Sequence, residues 1–277
     1  MFKKLLKYDF LYVARVWWII AVGTVIAAIS GAVALRIIIN SPQTHILLTM
    51  IAFFWTMISI LALSASALGT QVLLYVRFYK HLYSDEGYLT FTLPVKRSTI
   101  LLSKTVNAVI WTILSFILLY AGVAIMVFTV GGKAVLDEVL RSFSQLFSGL
   151  AFSDILWIGI YAFEAILILL TSSWFSVGLV QLCITIGSTI TRKHKVLASI
   201  GIYYAVNAGV GVISQILMFI AMMCAESLSD WFEALSPNMF SAVIAILLLL
   251  VAAVIGGAAF LFHHMTLQRI KNNLNMA

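Results

Sequence analysis

Charged residues, prolines and cysteines are all scarce in this chain of 277 residues. Only 10% of its residues are charged, whereas soluble domains have about 25%. The two cysteines, Cys183 and Cys224, both lie in apolar surroundings, which argues against a disulfide and against a cysteine metal site. The sequence also lacks a G-x-x-x-x-G-K-[ST] phosphate loop, an H-E-x-x-H pair and a G-x-S-x-G serine motif. These absences argue against an enzyme and against a metal or cofactor bound by this chain.

Long apolar runs dominate the remaining sequence, because 63% of the residues are hydrophobic. A helix needs about 20 apolar residues to cross a hydrocarbon core of about 30 Å. The sequence predicts an all-α integral membrane protein with six transmembrane helices, at about 17–35, 46–75, 106–130, 155–180, 196–225 and 240–262. These spans take up nearly the whole chain, so no separate soluble catalytic domain is expected.

The basic residues fall almost entirely in alternate gaps between the apolar runs. Of the 17 lysines and arginines, 14 lie in the N-terminal tail, the second gap, the fourth gap and the C-terminal tail. The other three are Arg36, Lys133 and Arg141. Because basic loops remain on the cytoplasmic side of a membrane, both termini are predicted to be cytoplasmic. The formal net charge of +7 is therefore explained by topology and anionic lipid, and we expect no nucleic-acid partner.

Two cytoplasmic segments depart from a simple span. Residues 1–16 are predicted to form an amphipathic helix on the membrane surface, preceding a single transmembrane domain at 17–277. In this helix, Lys3, Lys4 and Lys7 oppose an apolar face that includes Tyr12 and Val13. Span 2 has no natural stop before Tyr75. Its length of about 30 residues corresponds to about 45 Å, so we expect the helix to project into the cytoplasm.

The longest cytoplasmic connection follows span 2 and reads RFYKHLYSDEGYLTFTLPVKRSTILLSK. Asp85 and Glu86 form an acidic pair on the predicted cytoplasmic side, where Asp9 is the only other acidic residue. The apolar stretch Tyr88–Val95 follows, and Gly87 and Pro94 are the turn-forming and helix-ending residues. Aromatic anchors inside a polar rim are typical of a docking surface. The alternative is a solvated loop, but such a loop would expose several large apolar side chains to water.

Glu164 is the one carboxylate that lies well inside a predicted span. Since a charged side chain facing lipid costs several kcal/mol, we expect Glu164 to face protein or water. Asn207 and Gln215, in span 5, are candidates to line a translocation pathway together with Glu164. The alternative for all three is helix packing through hydrogen bonds.

The segment DEGYLTFTLPVKRSTILLSK, residues 85–104, resembles the first cytoplasmic connection in membrane subunits of bacterial type 2 ABC exporters. The basic start FKKLLKYDF and the tail RIKNNLN also resemble small permeases of this family. The resemblance implies the type 2 exporter permease fold and a coupling helix that contacts a separate ATPase. The coupling residues that it implies are Asp85, Glu86, Gly87, Tyr88, Phe91, Leu93, Pro94 and Arg97.

The resemblance further implies two ATP-binding subunits, which hold ATP and Mg²⁺, and a second permease subunit that is either identical or different. The expected location is the bacterial cytoplasmic membrane. The expected function is ATP-driven export of an amphipathic peptide, a lipid or a drug-like molecule. Two alternatives remain, namely a non-transporting immunity or assembly protein and a proton-coupled secondary transporter that uses Glu164. The latter proteins commonly contain inverted repeats, which this sequence does not show.

Overall fold

The chain is all-helical in the computed structural model, which describes residues 2–40, 46–84, 86–92, 94–148, 152–190, 194–223 and 235–273. Seven helices occupy these ranges: α1 (Phe2–Asn40), α2 (Ile46–Tyr83), α3 (Glu86–Thr92), α4 (Arg97–Phe147), α5 (Phe152–Ile190), α6 (Lys195–Met223) and α7 (Pro237–Asn273). All but α3 are long and apolar enough to cross a membrane. The structure therefore agrees with the prediction of a multi-pass membrane protein with six spanning helices.

The helices extend beyond the predicted spans, mostly at the ends that carry basic residues. Helix α2 continues through Arg77 and Lys80 to Tyr83, as its missing stop signal predicts. Helix α7 likewise continues past His263 and His264 into the basic tail. At 1.5 Å per residue, the 38 residues of α2 correspond to about 57 Å, well beyond a hydrocarbon core of about 30 Å.

The N-terminal segment is not a separate helix. Helix α1 runs from Phe2 to Asn40 without a break, so no boundary appears between residues 16 and 17. Val13, which belongs to the predicted apolar face, is fully buried, whereas Tyr12 on the same predicted face is exposed. The placement of this segment in the membrane surface stays a prediction, as does the single domain at 17–277.

One compact unit comprises the described parts of Met1–Phe78 and Val106–Ala151. In it, Arg77 donates a 2.9 Å hydrogen bond to buried Asp9 and stacks 3.6 Å above the ring of Tyr12. Trp111 of α4 packs against the rings of Phe10 and Trp17. These contacts fasten the beginning of α1 to the end of α2 and to α4. A small core of Ala28, Ala32, Leu63 and Met126 lies further along the same helices.

The other compact unit comprises the described parts of Tyr79–Thr105 and Phe152–Ala277. Helix α5 packs against both α7 and α6. Tyr161 contacts Ser241 near the start of both helices, and Phe175 contacts Phe262 further along both helices. Helices α5 and α7 therefore run parallel. Helices α5 and α6 instead form an antiparallel hairpin, because Gly187 near the end of α5 lies against Ser199 near the start of α6.

Candidate functional site

The connection between α2 and α4, defined here as the described residues of Tyr79–Thr105, folds around the short helix α3. The backbone N–H of Gly87 donates a 2.8 Å hydrogen bond to the carbonyl of Ser84, which forms the turn into α3. A Cβ atom on Gly87 would lie only 2.8 Å from the carbonyl oxygen of Leu82. The turn therefore needs a glycine for close backbone approach. Helix α3 ends at Thr92, two residues before Pro94, since proline disfavours helix in the residue preceding it.

A buried polar cluster joins both ends of the connection to α5. The hydroxyl of Tyr83 donates to Oγ1 of Thr185 at 2.7 Å, and the hydroxyl of Thr105 lies 2.9 Å from Oε1 of Gln181. Thr185 in turn donates to the backbone carbonyl of Gln181 at 2.7 Å. All four side chains are buried. We call Tyr83, Thr105, Gln181 and Thr185 the polar anchor.

A second attachment joins the connection to α7. Nη1 of Arg97 donates to the backbone carbonyls of Ile270 and Lys271 at 3.0 and 3.2 Å. These carbonyls belong to the last turn of α7, whose acceptors have no partner within the helix, and a cation there is favoured by the helix dipole. The same guanidinium lies 5.7 Å from the ring centroid of Phe91 in α3. Arg97 therefore links α3, the start of α4 and the end of α7.

Three ionisable side chains contact one another in a row near the start of α3. Nζ of buried Lys104 lies 3.1 Å from Nδ1 of His81, and Nε2 of the same imidazole lies 3.6 Å from a carboxylate oxygen of Glu86. An ammonium group is a donor only, so Lys104 donates to Nδ1 when that nitrogen carries no proton. His81 thereby connects α2 to α4 on one side and to α3 on the other.

The surface that remains on α3 is apolar and exposed. Tyr88 is 65% exposed and Leu89 is 68% exposed, while Phe91 is half-buried and Gly87 is buried. The carboxylate of Glu86 and the ring of Pro94 lie at the exposed edge. We call Tyr88 and Leu89 the exposed pair. Asp85 and Leu93, which the sequence also predicts for this surface, lie outside the described residues.

Glu164 is buried, with 1% of its surface exposed, and its spacing from Tyr161 and Thr171 places it on the face of α5 that packs against α7. It lies on α5 between Tyr161, whose hydroxyl bonds the carbonyl of Ser241, and Thr171, which faces Gly256. The stretch of α7 between Ser241 and Gly256 carries only apolar side chains. Among the described residues, neither carboxylate oxygen of Glu164 has a hydrogen-bond partner. The burial agrees with the expectation that this carboxylate avoids lipid.

Asn207 and Gln215 do not join Glu164 in one site. Both side chains are exposed on α6, and the amide of Asn207 donates to the carbonyl of Tyr203 on its own helix. Counted at 1.5 Å per residue from the Gly187–Ser199 contact, Glu164 lies about 34 Å along the hairpin and Asn207 only about 12 Å. Gln215 lies about 24 Å along it by the same count. The structure therefore separates the three candidate pathway residues in depth and in burial.

Within the described ranges, no three His, Cys, Asp or Glu side chains lie close enough together to hold a metal ion. No protein-family model, curated protein or solved structure matches this chain. The functional assignment therefore rests on the chemistry and geometry of the connection and of Glu164.

Proposed function

We propose that this chain is the membrane-spanning permease subunit of an ATP-driven ABC exporter of the type 2 class. In this proposal, the α2–α4 connection docks on a separate ATP-binding subunit at the cytoplasmic face of a bacterial membrane. The complex contains two such ATPase subunits and a second permease subunit. The exported molecule is an amphipathic peptide, a lipid or a drug-like compound, which suits a pathway between apolar helices.

One observation carries the proposal: α3 presents Tyr88 and Leu89 outward while its flanks are fastened to two spanning helices. Fully burying a leucine side chain stabilises an association by about 1.5–3 kcal/mol. A surface pair of this kind is therefore a suitable anchor for a partner protein. A solvated loop would not need three separate attachments at Tyr83, Arg97 and Thr105.

The attachments explain how motion of a docked ATPase would reach the membrane. A displacement of α3 is transmitted to α5 through the polar anchor and to the end of α7 through Arg97. Because α5 and α7 pack along each other, both helices would be driven from the same surface. ATP supplies the energy in the partner, and this chain converts movement of one surface into movement of spanning helices.

Purification of the chain from its native membrane in mild detergent tests the docking step. We expect an ATPase with a Walker motif to copurify and the eluate to hydrolyse Mg-ATP. The substitutions Leu89→Asp and Glu86→Lys should remove at least 90% of both signals, since each places an unfavourable charge on the exposed surface.

His194→Asp is the matched control. His194 is exposed in the connection between α5 and α6, near the Gly187–Ser199 contact, and lies outside the proposed docking surface. Retention of the ATPase by this control and loss by the α3 variants supports the proposal. An ATPase retained equally by all three variants, or absent from the native complex, contradicts it.

The state of Glu164 favours a second candidate, a transporter coupled to protons. A buried carboxylate without a hydrogen-bond partner is costly when charged, and intramembrane carboxylates commonly serve in proton relays. In that case transport would continue without ATP, and the α3 variants would leave it unchanged. No feature of the described residues specifically favours the immunity or assembly role.

A further inference from the structure

The last part of α4, residues 133–145, is an amphipathic helix that follows a break in the α4 span. At 100° per residue, five apolar side chains fall within an arc of about 140°. These side chains are Val135, Leu136, Val139, Leu140 and Phe143. The remaining arc holds every charged side chain of the segment: Lys133, Asp137, Glu138 and Arg141. We call this segment the post-kink helix.

Two adjacent glycines make the break. Gly132 has φ 54° and ψ −143°, a left-handed conformation that residues with a Cβ atom rarely adopt. A Cβ atom on Gly131 would collide with the side chain of Val135. The pair therefore interrupts the helix where the predicted apolar span at 106–130 ends, and the post-kink helix begins within two residues of the membrane boundary that we predict.

The apolar face of the post-kink helix is largely exposed. Each residue from Leu136 to Gln145 is exposed, including Leu136 at 46% and Leu140 at 58%. Isolated helices of fewer than about 12–15 residues are marginal in water, and helices in proteins depend mainly on packing of an apolar face. An apolar phase must therefore cover the stripe, and the bilayer that receives the preceding span is adjacent to it.

We propose that the post-kink helix lies in the lipid interface of the leaflet where the α4 span ends. Leu140 and Phe143 enter the acyl boundary, and the charged residues remain in water. Two basic and two acidic side chains balance, so a zwitterionic phospholipid surface is sufficient and anionic lipid adds no attraction. This surface is independent of the docking surface on α3.

Site-specific fluorescence in the full-length chain tests this. The chain is reconstituted into phosphatidylcholine vesicles with Cys183 and Cys224 replaced by serine. One bimane label is placed at Leu140→Cys or Phe143→Cys, and at Arg141→Cys or Ser144→Cys on the polar face as matched controls. We expect doxyl-labelled lipid to quench the two apolar positions at least threefold more than the two polar ones. Aqueous iodide should show the reverse preference, and 30% phosphatidylglycerol should change neither pattern.

The double substitution Gly131→Ala and Gly132→Ala should abolish the lipid quenching by straightening the helix. If this variant does not fold, the quenching pattern of the four single-cysteine chains decides. Equal iodide quenching at all four positions would show a solvated helix. Protection of positions 140 and 143 from both quenchers would show a protein partner or a second copy. Either result overturns the lipid assignment.

Discussion

At the scale of single residues, Glu164 separates the candidate functions most sharply. Its carboxylate is buried beside an apolar stretch of α7, and Tyr161 one turn away bonds across the same interface. A glutamine keeps the volume and polarity of the side chain but carries no charge and releases no proton. A leucine keeps approximate volume and removes all polarity.

We predict that Glu164→Gln leaves assembly with the ATPase and basal ATP hydrolysis within twofold of the native complex. If Glu164 contacts the exported molecule, the same variant changes relative transport rates among cationic and neutral substrates by fivefold or more. If Glu164 only packs, both Glu164→Gln and Glu164→Leu transport normally. Transport assays in proteoliposomes, with the three side chains compared side by side, check this. Transport abolished by Gln in the absence of any ATPase would instead favour the proton-coupled candidate.

At the scale of helices, the attachment of the connection to α5 carries the proposed coupling. Tyr83 and Thr185 are 102 positions apart in the chain and share one buried hydrogen bond of 2.7 Å. A buried hydrogen bond contributes about 1 kcal/mol to stability, and a double-mutant cycle isolates that contribution.

We predict that Tyr83→Phe and Thr185→Val each lower the free energy of unfolding, and that the pair shows a coupling energy of about 1 kcal/mol. Unfolding in detergent, followed by circular dichroism, measures these values. Tyr120→Phe is the control, because Tyr120 is 70% exposed and its hydroxyl has no such bond to lose. Strict additivity of the two substitutions would show that the Tyr83–Thr185 bond does not hold the connection in place.

The six spanning helices could be predicted from hydropathy, because each apolar run is long enough to cross the hydrocarbon core of a bilayer. The long α2 helix followed from the missing stop signal before Tyr75, and Gly87 and Pro94 marked the two ends of α3. The polar anchor could not be predicted in this way. Gln181 and Thr185 are isolated polar residues in an apolar helix, and their partners Thr105 and Tyr83 lie about 76 and 102 positions earlier. Only tertiary packing brings these pairs together.

The continuous α1 helix shows a further limit of predicting tertiary contacts from an amphipathic sequence pattern. The basic face of residues 1–16 predicts a surface helix, but no pattern in the sequence pairs Asp9 with Arg77, 68 positions away. That buried pair and the ring of Tyr12 hold the segment against α2. An amphipathic pattern shows which face of a helix is apolar. It does not show whether lipid or a neighbouring helix covers that face.

At the scale of the whole molecule, the charge distribution predicts the orientation in the membrane. Each lysine or arginine near an anionic cytoplasmic leaflet contributes about 1 kcal/mol of attraction. With 14 basic residues in one set of segments and 3 in the other, the expected bias far exceeds thermal energy. Contacts within the unit that contains α5 and α7 agree with this orientation. Arg97 bonds the end of α7 and Tyr83 bonds Thr185 near the end of α5, so both helix ends lie on the same side as the α2–α4 connection.

We predict that the connection between α5 and α6 is cytoplasmic and that the post-kink helix is on the opposite side. In a background with Cys183 and Cys224 replaced by serine, His194→Cys should react with a membrane-impermeant maleimide only after lysis. Gln145→Cys should react in intact spheroplasts, because it lies on the exposed polar face of the post-kink helix. Labelling of both variants after lysis controls for reactivity. The reverse pattern would place the basic connections outside the cell, where no ATP-binding subunit exists, and would remove the exporter proposal together with the orientation.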